Sequence, residues 1–242
     1  MSAPAERRAP AGSGGPPPRA SRPSGGSGGS SPRASTAQAR ADAPLADRPR
    51  AQRLLDAAEK AFGERTYRGS TVAGICAAAG IATGSFYAHF GSKAELFAAV
   101  VRRISADARS AMRAAIEQTD GSQREVERAG FRAFFEMLSR RPWIYRIVRE
   151  SEFVVPGLFQ EYYESLARGY ARGVRRAQLS GEIDPRYDPE VIAYVYAGIG
   201  YTVGMRWAEW TAGGRVPDDV LGDMLGVLAR GLPPSERTPG PA

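Results

Sequence analysis

Three side chains that can bind phosphate lie close together in this sequence of 242 residues, at Tyr87, His89 and Lys93. A phenol, an imidazole and an ammonium on one rim can hydrogen-bond phosphate oxygens, and N–H groups at a nearby helix start add to such a site. For His89, a capping or packing role is the alternative to a phosphate contact. Such a rim is chemically suited to contact the backbone of a nucleic acid.

Two short helices and a tight turn must position that rim. Val72, Ile75 and Ala79 recur at helical spacing, and Gly80 follows where a left-handed backbone ends a helix at low cost. Thr83 is the expected cap of the second helix. This pattern is typical of a helix-turn-helix, which places its second helix in the DNA major groove. An ordinary pair of packed core helices is the alternative.

The helix starts supply the residues expected to read DNA. Small polar side chains at Thr83 and Ser85 suit hydrogen bonding to base edges, while Gly84 permits a close backbone approach. Ser70 or Thr71 is the expected cap of the first motif helix. The predicted DNA-contacting residues are Arg50, Ser70, Thr71, Val72, Ala82, Thr83, Gly84, Ser85, Tyr87, His89 and Lys93.

The segment from Arg50 to Arg103 resembles the N-terminal domain of the TetR family of transcriptional repressors. The resemblance is carried by RAQRLLDAAEKAF, STVAGICAAAGI, TGSFYAHF and GSKAELF. It implies an all-α fold with a three-helix DNA-binding domain, followed by a ligand-binding and dimerisation domain. It also implies DNA-backbone contacts from the tyrosine, histidine and lysine named above. The chain departs from the family pattern at Ala82-Thr83, where Ser-Lys is common, and at Cys76, where alanine is usual. A charged groove contact is therefore absent.

Positive charge is concentrated in the first hundred residues. The formal net charge of the chain is +7. Seven arginines and three acidic residues give +4 over 1–48, and six basic and four acidic residues add +2 over 49–100. A chain polarised in this way suits a protein that presents one end to a polyanion.

Few enzyme classes fit the composition. One cysteine excludes an internal disulfide and suits a reducing compartment, and one histidine without a Cys/His cluster excludes a zinc site. The sequence has no G-x-S-x-G motif and no P-loop. We therefore predict a protein that is not an enzyme and that needs neither metal nor cofactor. Cys76 is predicted to be a small core residue and not a redox sensor.

Composition divides the chain into four regions. Residues 1–47 are rich in Pro, Gly, Ser, Ala and Arg and are predicted to be a disordered basic extension. This extension is either an arm that contacts DNA or a dispensable addition. A helix-turn-helix domain is expected at 48–96, and a ligand-binding and dimerisation domain at 97–232. A disordered tail is expected at 233–242.

Helical periodicity without a strand pattern runs through the two folded regions. Nine helices are expected, at about 50–65, 71–79, 83–90, 92–118, 122–140, 142–151, 158–180, 189–211 and 217–231. The longest uncharged apolar run, 191–205, is short for a membrane span, which needs about 20 residues. Residues 1–49 contain no apolar signal region. A cytoplasmic location is therefore expected.

An unusually aromatic stretch covers about 131–170. Most of these rings must belong to the core, but a pocket lined by aromatic side chains with a few polar tips is the sharper interpretation. Four arginines of one helix form either a solvated face or the mouth of a pocket for an anionic ligand such as an acyl-coenzyme A: Arg168, Arg172, Arg175 and Arg176. The predicted pocket residues are Phe131, Phe134, Phe135, Leu138, Trp143, Ile147, Phe153, Phe159, Tyr162, Tyr163, Leu166 and Tyr201.

The last two helices suit a dimer interface. The first of them is apolar nearly all round, so it must be covered on more than one side. Two helices from each subunit form such an interface in the TetR family, and a purely intramolecular core is the alternative. The predicted interface residues are Tyr196, Ile199, Val203, Val220, Met224, Val227 and Leu228.

These features favour a homodimeric DNA-binding transcriptional regulator. The most specific hypothesis is a repressor that a small effector, hydrophobic or similar to acyl-coenzyme A, releases from a palindromic double-stranded operator. One alternative is a dimeric DNA-binding regulator without a small-molecule ligand. The other is a helical ligand-binding protein whose DNA-binding domain has decayed. Operator binding distinguishes the first two hypotheses from the third, and release by a metabolite distinguishes the first from the second.

Overall fold

The computed structural model describes residues 48–211 and 214–232, and this part of the chain contains nine α-helices and no strand. The predicted all-α class and helix count are confirmed. The helices are α1 (Arg48–Gly69), α2 (Val72–Ala79), α3 (Thr83–His89), α4 (Lys93–Glu117), α5 (Gln123–Arg140), α6 (Ile144–Val154), α7 (Leu158–Leu179), α8 (Pro189–Gly204) and α9 (Asp218–Gly231). A π-helical segment, Met205–Glu209, continues α8. The predictions for 1–47 and 233–242 lie outside the described residues.

The helices α2 and α3 form the predicted helix-turn-helix. Thr71 caps α2, because its hydroxyl accepts a hydrogen bond from the Gly74 N–H at 3.1 Å. Gly80 adopts the left-handed φ of 63°, and α3 leaves at 98° to α2. The prediction that Thr83 caps α3 is wrong: Ala82 occupies the cap position without a side-chain bond, and Thr83 is the first helical residue.

The helix α1 is longer than predicted and is interrupted near its end. Thr66 has a φ of 66° and is the one non-glycine residue with positive φ among those described. Such a conformation costs on the order of 1–3 kcal/mol and persists only where its surroundings impose it. The buried Ser70 hydroxyl donates to the Thr66 carbonyl at 2.8 Å and to the Ala61 carbonyl at 3.0 Å. The Glu150 carboxylate accepts the Tyr67 N–H from across the junction with α6.

The long helix α4 follows the motif and is the first helix of a bundle formed by α4 to α9. Ser92 caps α4 by accepting the Glu95 N–H at 3.1 Å. Glu125 and Ser122 form a capping box at the start of α5. Contacts place α4 against α1, α5, α6 and α7, while α7 and α8 pack along each other. Both α4 and α6 contact α1, so these two helices connect α1 with the rest of the bundle.

Two glycines of α8 allow aromatic side chains to lie against its backbone. The Tyr145 hydroxyl donates to the Gly200 carbonyl at 2.9 Å, and a methyl group at Gly204 would overlap that hydroxyl. The groups that approach α8 closely at these two glycines are side chains of α5 and α6 and not another helix backbone. Gly198 faces open space on the other side of the helix.

Among the residues described, no single helix is long and apolar enough to cross a membrane; α2 and α3 taken together would pass on length and composition alone. Within the same ranges, no group of three or more His, Cys, Asp or Glu side chains is arranged to hold a metal ion.

Candidate nucleic-acid interface

The exposed side of the α2–α3 motif carries most of the predicted DNA-contacting residues. Thr83 and Gly84 are exposed at the start of α3, and Tyr87 is 56% exposed one turn later. Phe86, on the opposite side, is fully buried and holds α3 on the core, with its ring 5.1 Å from that of Tyr87. The short helix therefore presents small polar groups and a phenol outward while one aromatic ring anchors it.

The remaining predicted residues of the motif border the same surface. Thr71 and Ala82 are exposed, whereas Ser85 and His89 are half-buried. Val72 begins α2, where the first backbone N–H groups have no partner within the helix. Arg50 is exposed near the start of α1 and is the predicted contact farthest along the chain from the motif.

Two predicted DNA contacts have internal roles instead. The Ser70 side chain is buried, and its hydroxyl is engaged by two carbonyls of α1. The Lys93 ammonium donates to the Tyr67 carbonyl at 2.8 Å and to the Ser70 carbonyl at 2.7 Å, and it lies 4.2 Å from the centre of the Tyr67 ring. Ser70 is therefore corrected to a structural residue. Lys93 fastens the end of α1 to α4, with one of its three donors left for a phosphate.

The geometry is that of a regulator's DNA-binding domain, and comparison with known proteins agrees. Residues 54–100 match the model of the family described as bacterial regulatory proteins, tetR family. This segment therefore carries the DNA-binding domain of the TetR family. The segment runs from the second turn of α1 into α4 and contains the whole α2–α3 motif.

Two curated relatives of this chain bear the names of transcription regulators. The HTH-type transcriptional activator FasR of Mycolicibacterium smegmatis is 33% identical over 101 residues, which cover 42% of this chain and 46% of FasR. The matched segment thus spans less than half the length of FasR. ArpR of Pseudomonas putida, named as a probable HTH-type transcriptional regulator, is 29% identical over 203 residues, covering 77% of this chain and 91% of ArpR.

A solved structure extends the likeness to the whole fold. The transcriptional regulator FadR of Bacillus subtilis, solved in complex with stearoyl-CoA, superposes with a TM-score of 0.65 at 18% identity. The alignment covers 75% of this chain and 98% of that one. At this identity, the likeness establishes the fold of this chain and nothing about its ligand.

A buried ionic cluster fastens α1 to the bundle; we name it the junction network and define it as Glu59, Arg103, Arg141 and Trp143. Glu59 is 5% exposed and accepts hydrogen bonds from Arg103 at 2.8 Å, from Arg141 at 2.8 and 2.6 Å, and from the Trp143 indole at 3.0 Å. Burial alone would raise the pKa of Glu59, but the bonds from Arg141, Trp143 and Arg103 outweigh it and hold this pKa below its ordinary value. Glu59 is therefore a buried carboxylate that ties three elements together.

Further bonds from α6 reinforce this junction. The Arg146 guanidinium donates to the Gly63 carbonyl at 2.7 Å, and Trp143 packs so closely on Gly63 that a side chain there would overlap it. Trp143 is therefore a junction residue, and its predicted place in a ligand pocket is corrected. None of these contacts was predicted. The available signal in the sequence was Glu59, an acidic residue among the apolar residues of α1.

The other predicted pocket residues form packed aromatic core more than an open pocket. Rings lie within packing distance in the pairs Phe131–Phe135, Phe134–Phe135, Phe159–Tyr163, Tyr162–Tyr163 and Tyr163–Tyr201. Leu138, Ile147 and Leu166 are buried beside them. Phe153 is 85% exposed and points away from this core, so its predicted place in the pocket is wrong.

Two cavities open beside this core. A cavity of about 80 Å³ lies between α4, α5, α7 and α8 and is lined by Phe131, Tyr170 and Tyr196, with Glu127 and Arg176 as its charged groups. A second cavity, which we name the α4–α7 groove, has a volume of about 180 Å³. It is lined chiefly by polar residues of the two helices: Arg102, Ser105, Arg109, Glu161, Tyr162, Ser165 and Arg168.

The predicted arginine stripe of α7 divides between these sites and solvent. Arg168 lines the α4–α7 groove and Arg176 lines the smaller cavity, while Arg172 and Arg175 are exposed. The sequence did not predict that Arg109 lines the α4–α7 groove. Its spacing of four from Ser105, on an otherwise apolar side of α4, was the available signal.

The predicted dimer residues separate into two groups. Tyr196, Met224 and Leu228 are at most 7% exposed within one chain, and the Tyr196 hydroxyl donates to Glu127, so these three belong to the subunit core and are corrected. Val227 is 60% exposed, and Ile199, Val203 and Val220 are half-buried. The exposed apolar residues of α8 are Val191, Tyr194 and Val195, at 62%, 44% and 45% exposure.

Proposed function

We propose that this chain is a homodimeric repressor that binds a palindromic operator through α2 and α3 and leaves it when an effector binds the bundle. The observation that carries the proposal is the junction network, which connects the DNA-contacting domain rigidly to the bundle. A rigid connection lets a shift within the bundle change the position of α3. Since its proposed target is chromosomal DNA, the protein is proposed to act in the cytoplasm.

On DNA, the exposed groups divide into base-reading and backbone-binding sets. Thr83, Gly84 and Ser85 at the start of α3 are proposed to approach base edges in the major groove. Tyr87 and Thr71 on its rim, with the half-buried His89, are proposed to bind phosphates. Since these base-reading and hydroxyl groups are neutral, salt dependence is proposed to come from cationic contacts such as the remaining donor of Lys93.

Dimerisation is proposed through an exposed apolar patch of α8 and α9, defined as Val191, Tyr194, Val195 and Val227. The three α8 residues share one face of that helix by their spacing. Apolar side chains left this exposed on two helices mark an association surface when they are contiguous. This patch replaces the buried half of the interface predicted from the sequence.

The effector is proposed to be hydrophobic or similar to an acyl-coenzyme A. FadR of Bacillus subtilis, which shares the fold, was solved with stearoyl-CoA bound. The aromatic core beside the two cavities supplies apolar walls for such a ligand, provided that the helices separate to admit it. FasR bears the name of an activator, so the sign of regulation is part of what must be tested.

The test begins with selection of bound sites from a randomised DNA library with the full chain. A two-fold symmetric site with half-sites about 34 Å apart, or a multiple of that distance, is expected. The selected site then serves in a release assay against a panel of metabolites that includes acyl-coenzyme A thioesters of several lengths. Release by one class supports the repressor, whereas operator binding without release across a broad panel favours the ligand-free regulator. Failure to select any site favours a chain whose DNA-binding domain has decayed.

A further inference from the structure

Arg109 is a half-buried cation with no carboxylate partner among the described residues. One nitrogen of its guanidinium donates hydrogen bonds to two hydroxyls, that of Ser105 on its own helix at 2.6 Å and that of Ser165 on α7. Other half-buried arginines, Arg141 and Arg149 among them, form ion pairs with acidic side chains. Burial of an unpaired charge costs free energy, and a bound anion would offset that cost.

A second group beside Arg109 also lacks a partner. Tyr162 is 5% exposed and lines the α4–α7 groove, and its hydroxyl forms no hydrogen bond with any described residue. The one fully buried side-chain nitrogen or oxygen left without a partner in the described ranges is Nε of Arg103, so the Tyr162 oxygen keeps some contact with solvent. Burial raises the pKa of Tyr162, against the opposing charges of Arg109 and Arg141, so the phenol stays protonated and can donate.

The groove around these two groups is positive and small. Its walls carry three arginines and one glutamate, a net charge of +2, and the glutamate, Glu161, is neutralised by a bidentate pair with Arg102 at 2.8 Å. Arg168 at the same site lies 3.7 Å from Glu164 in an exposed and therefore weak pair. A volume of about 180 Å³ holds roughly six water-sized groups. That is room for one anionic head and the first atoms of its carrier.

We propose that the α4–α7 groove binds the anionic head group, a phosphate or a carboxylate, of the effector, through Arg109, Tyr162 and the hydroxyl of Ser165. The inference rests on the proposed effector release and assigns its polar anchor. This anion site differs from the arginine stripe predicted on α7. Its central cation, Arg109, comes from α4, and the phenol of Tyr162 completes the set of donors.

The groove lies on the side of α4 that faces α7, and the same helix carries the junction network. Arg103 and Asp107, on a different face of α4 from Arg109, bind Glu59 and Arg141 respectively. An anion bound by Arg109 of α4 and Ser165 of α7 bridges these two helices and therefore acts on the helix that positions α1. Effector release requires an effector that binds two arrangements of the bundle with different affinities. A bridge between α4 and α7 supplies a contact that differs between such arrangements.

The experiment titrates the full chain, without DNA, with inorganic phosphate and separately with acetate, against sodium chloride at matched ionic strength. Melting temperature and calorimetry are the readouts. The variants are Arg109→Gln and Tyr162→Phe, and Arg172→Gln is the control because Arg172 is an exposed cation on α7. The phenylalanine variant loses no internal hydrogen bond, so it is expected to fold with an unchanged melting temperature in chloride.

In the wild type and the Arg172→Gln control, one of the two anions is expected to raise the melting temperature more than chloride does. Tyr162→Phe should weaken the binding of that anion about tenfold or more, and Arg109→Gln should abolish its effect on the melting temperature. A stronger response to phosphate assigns a phosphoryl head, and a stronger response to acetate assigns a carboxylate. Absence of any anion-specific response in the wild type, or its persistence in both groove variants, overturns the inference. Because no DNA is present, failure of operator binding would refute the proposed function and leave this result standing.

Discussion

Replacement of Glu59 by glutamine tests the junction network most directly. The substitution keeps the shape and an acceptor for the Trp143 indole, but it removes the negative charge that faces Arg103 and Arg141. Loss of one partner from a buried pair typically costs about 3–5 kcal/mol. Here each arginine keeps a second carboxylate, Asp56 or Asp107, and both arginines are partly exposed, at 17% and 22% of the side chain. We therefore expect the free energy of unfolding to fall by about 2–3 kcal/mol, at and just below the lower end of that range.

For a domain of this size, 1 kcal/mol corresponds to a change in melting temperature of about 2–4 °C, so Glu59→Gln should melt about 4–12 °C below the wild type. Thermal unfolding at pH 7, followed by circular dichroism, measures this. Glu64→Gln is the matched control on the same helix, since Glu64 is half exposed and its i,i+4 pair with Lys60 is 4.0 Å long. That control should change the melting temperature by about 1 °C or less. A drop for Glu59→Gln no larger than that of the control would refute the assigned role of the network.

The same pair of proteins gives a pH test with a defined sign. The Glu59 pKa is lower in the folded chain than its ordinary value of 4.5, so the unfolded chain takes up this proton more readily. The contribution of Glu59 is therefore complete above about pH 4.5 and is lost as the pH falls through the folded pKa. The difference in stability between wild type and Glu59→Gln should shrink as the pH drops below 4.5 and stay constant above it; a difference that grows on acidification would show that the sign is wrong.

Three further changes probe the interface, the core and DNA reading. Val227→Asp should convert the dimer to monomer at micromolar concentration in sedimentation velocity, while Ala229→Asp on another face of α9 should leave the dimer intact. Gly204→Ala should lower the free energy of unfolding by about 1–3 kcal/mol through overlap with a buried phenol, whereas Gly169→Ala, at an open helical position, should raise it by up to about 1 kcal/mol; chemical denaturation compares the two. Thr83→Ala should change the preferred bases of the selected operator without changing the slope of log affinity against log salt, and a changed slope with the same preferred bases would reverse the assignment.

The sequence by itself determined the elements and the motif. Residue type and short-range spacing decide where a helix begins or turns, and this information is local: Gly80 ends α2 in the left-handed conformation, and Ser92 begins α4. The burial of Phe86 beneath an exposed helix start follows from the same periodicity. For that reason the exposed surface of the α2–α3 motif was largely predictable.

What only the tertiary structure decided is how polar groups far apart in the chain meet. Lys93 reads as a phosphate contact along the sequence, yet its ammonium lies on two carbonyls at the end of α1. Glu59 and Arg141 are 82 residues apart, and Arg109 and Ser165 are 56 apart. Periodicity shows that a residue lies on an apolar face but not which helix covers that face. The same limit explains why Tyr196 was predicted for a dimer surface but is covered within its own subunit, while Val191 and Val195 on the same helix remain exposed.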